Sequence, residues 1–585
     1  MLKSTSDTYP LFFAVLAAVF FIPFIGNVHL FDWDEINFAE IAREMVVLGE
    51  YLSVHVNFVS FTEKPPFFFW LQAAAMNVFG VGEFAARLPN AILGIITLPI
   101  IYNMGKRLFN SQFGFIWAFT YFGTVLPNLY FRSGLIDPYF NFFIFLGLYY
   151  LILASWKKAE ITDIELNKSK NYYLVLGGII IGLGILTKGP VAFLFILLTG
   201  GIYWLLKRFK MFISVGDFIL FSLSALIMTG LWYGLETLIN GPQFVIEFTM
   251  RQLTLLNSAD AGQSGFPGYH FVVLLVGCFP ASVFMIRGMM KLEHQHTHQK
   301  DFRLWMIILF WAVLILFSIV KSKIVHYSSL AYFPLTFLAA YTIYYIVQNK
   351  IRFAAWMKTM LIGIVIIVAG AFITLTVLGQ DIESLKPLFE KDKFALANLD
   401  AQVNWPITAI IPGILLLIST LLGMLWLTKE GKKSLGFKVL FGGTALFVQL
   451  TLFFFIGRVE HYSQRAAIEF CESKQTEDCY VITKGYRSYA HYFYTRTEQR
   501  PLENERFVKH LEEYKKNVDT DSDAARRHEV FSLAWSDWIL NGDIDKNAYI
   551  ITKINKADYL RGREDMEELY AKNGFVFFKR SPVVR

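Results

Sequence analysis

F-D-W-D-E-I-N-F-A-E-I-A-R-E-M (residues 31–45) and F-T-E-K-P-P-F-F-F-W (residues 61–70) open and close a polar stretch in an otherwise apolar region. The stretch gathers Asp32, Asp34, Glu35, Glu40, Glu44 and Glu63, with Arg43 and Lys64 set among them. The flanking sequence is rich enough in Leu, Ile, Val and Phe to sit in lipid. A membrane chain that collects carboxylates beside its first apolar run is expected to build a site there.

Working outward, 55% of the 585 residues are hydrophobic, 17% aromatic and 17% charged, with a mean hydropathy of +0.44. Soluble domains average about 45–50% apolar and about 25% charged, so the composition indicates a polytopic helical membrane protein. The net charge of +7 comes from Lys and Arg in short loops between apolar runs and is not a nucleic-acid signature, so no nucleic-acid partner is expected. Three cysteines are too few for a disulfide framework. Cys471 and Cys479 are close enough in sequence to pair in an oxidising compartment, and Cys278 falls in an apolar run.

A helix needs about 20 residues to cross the hydrocarbon core. That criterion predicts about thirteen spans, near 10–30, 86–105, 112–129, 138–156, 172–187, 190–206, 215–235, 269–289, 303–320, 328–347, 359–379, 405–427 and 437–457. Phe67–Phe79 is too short to span and is expected to form a surface helix. With the N-terminus cytoplasmic, Lys106–Arg107, Lys157–Lys158, Lys207–Arg208 and Lys350–Arg352 fall inside, as the positive-inside rule requires. The 31–85 loop, Arg132, Asp137, Lys188, Arg251, Lys323, His326 and Tyr327 then fall together outside. From residue 458 to 585, charged helix-like pieces such as Phe507–Lys516 and Asp558–Lys572 alternate with β-rich ones. A transmembrane unit (1–457) is therefore expected to carry a C-terminal extracytoplasmic α/β domain (458–585).

Each motif has a plain structural reading as well. Asp32-x-x-Glu35 is the Asp analogue of a capping box, and Glu40 with Arg43 is an i,i+3 pair. Pro65-Pro66 would seat Lys64 beside the positive end of the Phe67 helix, a suitable place for phosphate. Asp137-Pro138 reads as an ordinary helix start, and Lys188 as an interfacial lysine. His294, His296 and His298 look like a metal tract but fall on the cytoplasmic side, away from the other polar groups, and receive no role.

Taken in order, D-E-I-N-F-A-E-I-A-R-E-M, E-K-P-P-x-x-x-W, F-A-A-R-L-P-N-A, Asp137, G-I-L-T-K-G-P and K-I-V-H-Y-x-x-x-A-Y-F-P resemble the GT-C membrane glycosyltransferases. Within them the likeness is to lipid A aminoarabinose transferases and protein O-mannosyltransferase relatives, over about residues 10–350. The resemblance implies a sugar donor carried on polyprenyl phosphate, an extracytoplasmic lipid A, glycolipid or protein acceptor, and residence in the bacterial inner membrane. It implies Asp34 as the principal catalytic carboxylate with Glu35 beside it, and Asp137 as a second important aspartate. Lys64 is implied at the carrier phosphate, with Arg87, Lys188, Lys323 and Tyr327 grouped near the lipid. No cofactor is required, although Glu63 could hold a divalent ion. Asn37 and Phe38 stand where the aminoarabinose transferases commonly have Arg and Tyr, which leaves sugar and acceptor open. A transporter of lipid-linked sugars is the competing reading.

Overall fold

The computed structural model describes residues 5–257, 265–290, 296–517 and 527–582. Among these, nine helices are long and apolar enough to cross a membrane, or ten if one bent pair counts as a single span. The chain is a multi-pass helical membrane protein. The expected thirteen runs are all largely helical, but hydropathy does not see where a helix breaks. The 269–289 run is two helices, Tyr269–Gly277 and Ala281–Gly288, bent by 110°. The 112–129 run stops at Gly123 and resumes as Val125–Tyr130. The first run is helix α1 (Thr5–Phe21) and the sixth is Val191–Leu206, both below span length.

The helices pack through aromatic and small residues, as expected where lipid gives no hydrophobic drive between helices. α4 (Glu83–Leu108) meets the Ser111–Phe122 helix so closely that a Cβ added at Gly105 would lie 2.7 Å from the Gly114 Cα. At the basic ends of the Asp137–Lys158 and Val191–Leu206 helices, Asp301 ties both to its own helix, Thr297–Ile319. It accepts from Trp156 Nε1 (2.8 Å), the Tyr203 hydroxyl (2.6 Å) and Lys207 Nζ (3.0 Å).

At the other ends lie α2 (Asp34–Leu48), the two-residue strands β1 (His55–Val56) and β2 (Val59–Ser60), and α3 (Phe67–Phe79). The last has the bounds its apolar run predicts. Beyond residue 458 a four-stranded sheet has the order β3 (Tyr480–Lys484), β4 (Ala548–Lys553), β6 (Phe575–Arg580), β5 (Glu567–Lys572). β3 runs parallel to β4 and the other pairs are antiparallel.

The 558–572 segment, expected as one charged helix, is instead the single turn Asp558–Arg561 followed by β5. The cause is the two-residue hairpin Asn573-Gly574. Both residues have positive φ (45° and 80°), and Lys572 is registered opposite Phe575. Such Asn-Gly turns match the twist of antiparallel strands. Cys278, Cys471 and Cys479 are all buried and unbridged, so the 471–479 pairing does not form. His298 is buried and its Nε2 lies 2.8 Å from the Leu108 carbonyl, while His294 lies outside the described residues.

Candidate active site

The site begins with how the chain reaches Asp34. The loop from Phe21 to α2 is tied from two directions. From the membrane side, Arg87 donates from Nε and Nη2 to Glu35 (3.0 and 2.8 Å) and from Nη1 and Nη2 to the carbonyls of Ile25, Val28 and His29 (2.7–3.0 Å). Glu35 in turn accepts from the backbone N–H groups of Phe31 (3.0 Å) and Gly134 (2.5 Å). Burial pushes the Glu35 carboxyl up, but Arg87 and these N–H groups outweigh it and hold the group below the usual range.

Two assignments change as a result. Arg87 has five N–H donors and all five are engaged, so none is left for a lipid phosphate. Glu35 is likewise saturated and cannot act on a substrate. Together they form a buried clamp that positions Asp34.

From the other side, the C-terminal region grips the same loop. His29 pairs with Glu460 (2.8 Å), the Tyr494 hydroxyl accepts from Leu30 N (2.7 Å), and Gln464 donates to the Leu30 carbonyl (2.7 Å). Asp32 accepts from the Ser488 hydroxyl and from Tyr489 N (3.1 Å), and burial pushes its carboxyl up to about 6. Asp32 therefore does not cap α2; the residue before the helix is Trp33, which makes no capping bond. The Trp33 indole instead donates to the Arg487 carbonyl (2.9 Å), with the Arg487 guanidinium 4.9 Å from its ring. The Glu40–Arg43 pair does form, at 2.7 Å and fully buried.

Asp34 opens α2 and faces a cavity of about 1300 Å³. Its side chain is 39% exposed, against 7% for Glu35, 5% for Asp137 and 27% for Glu63. Of these four carboxylates it is the most accessible to a ligand. His326 Nε2 lies 3.4 Å from Asp34 and 4.0 Å from Asp137, and Lys188 donates to Asp137 (2.7 Å). The short 3₁₀ helix Val325–Ala331 sets His326 and Tyr327 side by side on the cavity wall. The Tyr327 ring lies 5.6 Å from Lys188 Nζ. A carboxylate, an imidazole, a second carboxylate and an ammonium thus form one polar chain.

Lys64 lines the same cavity, and among the described residues its ammonium has no hydrogen-bond partner. Burial pulls it below the usual lysine range, with Glu63 and Asp34 opposing. Burial pushes the Glu63 carboxyl up, yet Lys64, Arg251 and Arg487 outweigh it and hold it low. Glu63 faces Arg251 at 3.4 Å. Among the described residues no group of three or more His, Cys, Asp or Glu side chains converges.

Lys323 stands apart from this cluster. Its ammonium donates to the carbonyls of Phe317, Ser318 and Val320 (2.5–2.9 Å), closing the end of the Thr297–Ile319 helix, and it does not line the cavity. Arg251, Arg132 and His326, which the sequence places on the outer side without roles, do line it, as does Arg487.

The polytopic helical fold, with its cavity at one set of helix ends, is of the GT-C type. Residues 63–233 match the family described as dolichyl-phosphate-mannose-protein mannosyltransferase. Two Pseudomonas fluorescens relatives are named undecaprenyl phosphate-alpha-4-amino-4-deoxy-L-arabinose arabinosyl transferases. One is 25% identical over 53% of this chain, and the alignment spans only 55% of that relative's length. The other is 23% identical over 69% of this chain and 70% of the relative. The crystal structure of ArnT from Cupriavidus metallidurans bound to undecaprenyl phosphate superposes with a TM-score of 0.74, covering 98% of each chain at 17% identity. The chain therefore shares the ArnT fold, and in sequence it resembles the aminoarabinose transferases.

Proposed function

We propose that this chain transfers a sugar from a polyprenyl-phosphate donor to an acceptor at the extracytoplasmic face of the membrane, with lipid A or a related glycolipid the favoured acceptor. The observation that supports the reading best is the pairing, in one cavity, of an accessible Asp34 with a Lys64 whose ammonium has no hydrogen-bond partner among the described residues. The likeness to undecaprenyl-phosphate-dependent relatives points the same way.

In this reading the donor phosphate lies against Lys64, with Lys188 and Arg251 adding positive charge. Preorganised cations in a water-poor site stabilise charge developing on a leaving group. The bond from the anomeric carbon to the phosphate oxygen breaks and its electron pair stays with the carrier phosphate. The acceptor oxygen bonds to the opposite face of that carbon, inverting it. Asp34 takes the proton of a hydroxyl acceptor. If the acceptor is an already ionised phosphate, Asp34 orients it and stabilises the oxocarbenium-like state. His326 and Asp137 hold Asp34 and Lys188 in register. The 458–585 region serves as the extracytoplasmic domain that closes the loop over the cavity.

Lys64→Met is expected to weaken polyprenyl-phosphate binding by roughly tenfold or more, the worth of a charge-assisted contact. Because burial pulls Lys64 below the usual value of about 10.4, wild-type affinity should be full at neutral pH. It should fall as pH rises through the lowered pKa, and the fall should be absent in Lys64→Arg. Binding titrations of detergent-purified protein with polyprenyl phosphate across pH measure both effects. Equal affinity in Lys64→Met would remove Lys64 from the phosphate. Turnover is tested with radiolabelled polyprenyl-phosphate sugars. Translocation of the intact donor across vesicles without transfer would favour the transporter reading, which otherwise expects ionisable groups near the membrane midplane.

A further inference from the structure

One cavity cation plays no part in the arrangement above. Arg132 lies between the Val125–Tyr130 and Asp137–Lys158 helices and lines the cavity at 7% exposure. Its Nε, Nη1 and Nη2 are all buried, and none has a hydrogen-bond partner among the described residues. The other two buried arginines of this region are satisfied: Arg87 by five bonds, and Arg43 by Glu40 and the Thr497 carbonyl. Burial alone pulls Arg132 down to about 9, with no carboxylate near enough to oppose it. Its close neighbour is the Phe21 ring, 5.9 Å away. A buried, unpaired guanidinium is costly and is ordinarily matched by an anion.

The wall beside it is amphiphilic. From Phe21 the chain runs to Phe24, which is 54% exposed and packs on Phe453 (ring centroids 5.8 Å apart), itself 59% exposed. Phe24, Phe453, Leu452 and Ile456 all line the cavity, and among them the buried Gln449 Oε1 has no donor among the described residues. This lobe therefore combines a fixed cation, an acceptor for an N–H or O–H group, and apolar surface continuing outward.

We propose that this lobe is a second lipid-anion subsite, separate from the donor phosphate at Lys64, and that Arg132 holds a phosphate borne by the amphiphilic acceptor. The assignment to the acceptor rests on the transferase reading; the existence of a second lipid-phosphate site does not. Arg132 is the specificity-determining residue for that phosphate, its planar fork suited to two-point contact.

The test uses the full-length protein in detergent and dodecyl phosphate as probe. With saturating polyprenyl phosphate occupying the Lys64 site, wild-type protein is expected to retain one saturable dodecyl-phosphate site per chain. Arg132→Gln should weaken that site roughly tenfold or more while leaving polyprenyl-phosphate affinity within about twofold, and Arg132→Lys should restore part of the loss. Inorganic phosphate at the same concentration should compete poorly. Complete loss of dodecyl-phosphate binding in the polyprenyl-phosphate-saturated wild type would overturn the proposal, independently of how any variant folds. Equal competition by inorganic phosphate would overturn the lipid assignment. A retained second site in a protein that shows no sugar transfer would contradict the transferase reading and leave the subsite standing.

Discussion

Asp34→Asn is expected to lower sugar transfer on the order of 10²- to 10⁴-fold, the usual range for removing a positioned acid–base group. Polyprenyl-phosphate affinity should change little. The substitution keeps the shape of the side chain and the start of α2, so the effect isolates charge. Asp34 is the carboxylate to test because its side chain is 39% exposed and faces the cavity, 3.4 Å from His326. Glu35, one residue on, is the control: it is the same chemical group, with both oxygens engaged by Arg87, Phe31 N and Gly134 N. The readout is the initial rate at saturating donor, together with donor binding measured separately. Transfer that persists undiminished in Asp34→Asn would end its catalytic assignment.

Arg87→Ala is expected to be the most damaging single change to stability in the site. Removing one partner of a buried ion pair leaves the other charge uncompensated and costs about 3–5 kcal/mol. The carbonyls of Ile25, Val28 and His29 lose their donors at the same time. The loss should appear as a lower unfolding temperature in detergent, followed by tryptophan fluorescence. Glu35→Gln combined with Arg87→Ala should be less damaging than Arg87→Ala alone, because no buried carboxylate is left unpaired. Strictly additive effects of the two substitutions would show that the clamp is not the coupled unit described here.

What could be read in the sequence were the features encoded locally. The Phe67–Phe79 helix follows from an apolar run after two prolines, and the Glu40–Arg43 pair from its i,i+3 spacing. The one-sided gathering of Asp34, Lys64, Asp137, Lys188 and Tyr327 follows from topology. The failures share a cause: a lysine or arginine in sequence does not state what it touches. Arg87 and Lys323 look like phosphate ligands until their donors are seen to be taken, those of Lys323 by three backbone carbonyls and those of Arg87 by three carbonyls and Glu35. Arg132 carries the same kind of signal and turns out to have no hydrogen-bond partner among the described residues. Asp32 reads as a local cap because Ser488 and Tyr489, its actual partners, are more than 450 positions away. The Asn573-Gly574 hairpin was the exception. Its turn signal was local, but the charged residues around it gave a helical pattern to what is an exposed edge strand.

The measurement that tests the central claim most directly is a double-label transfer assay with purified full-length protein. The polyprenyl-phosphate sugar carries ³²P in the phosphate and ¹⁴C in the sugar, and a phosphorylated glycolipid serves as acceptor. Breaking the bond between anomeric carbon and oxygen at the Asp34–Lys64 site predicts that ¹⁴C appears on the acceptor while ³²P stays on the polyprenol. Both should depend on Asp34. Labels that move together, or that never separate while the donor crosses the membrane, would contradict the account.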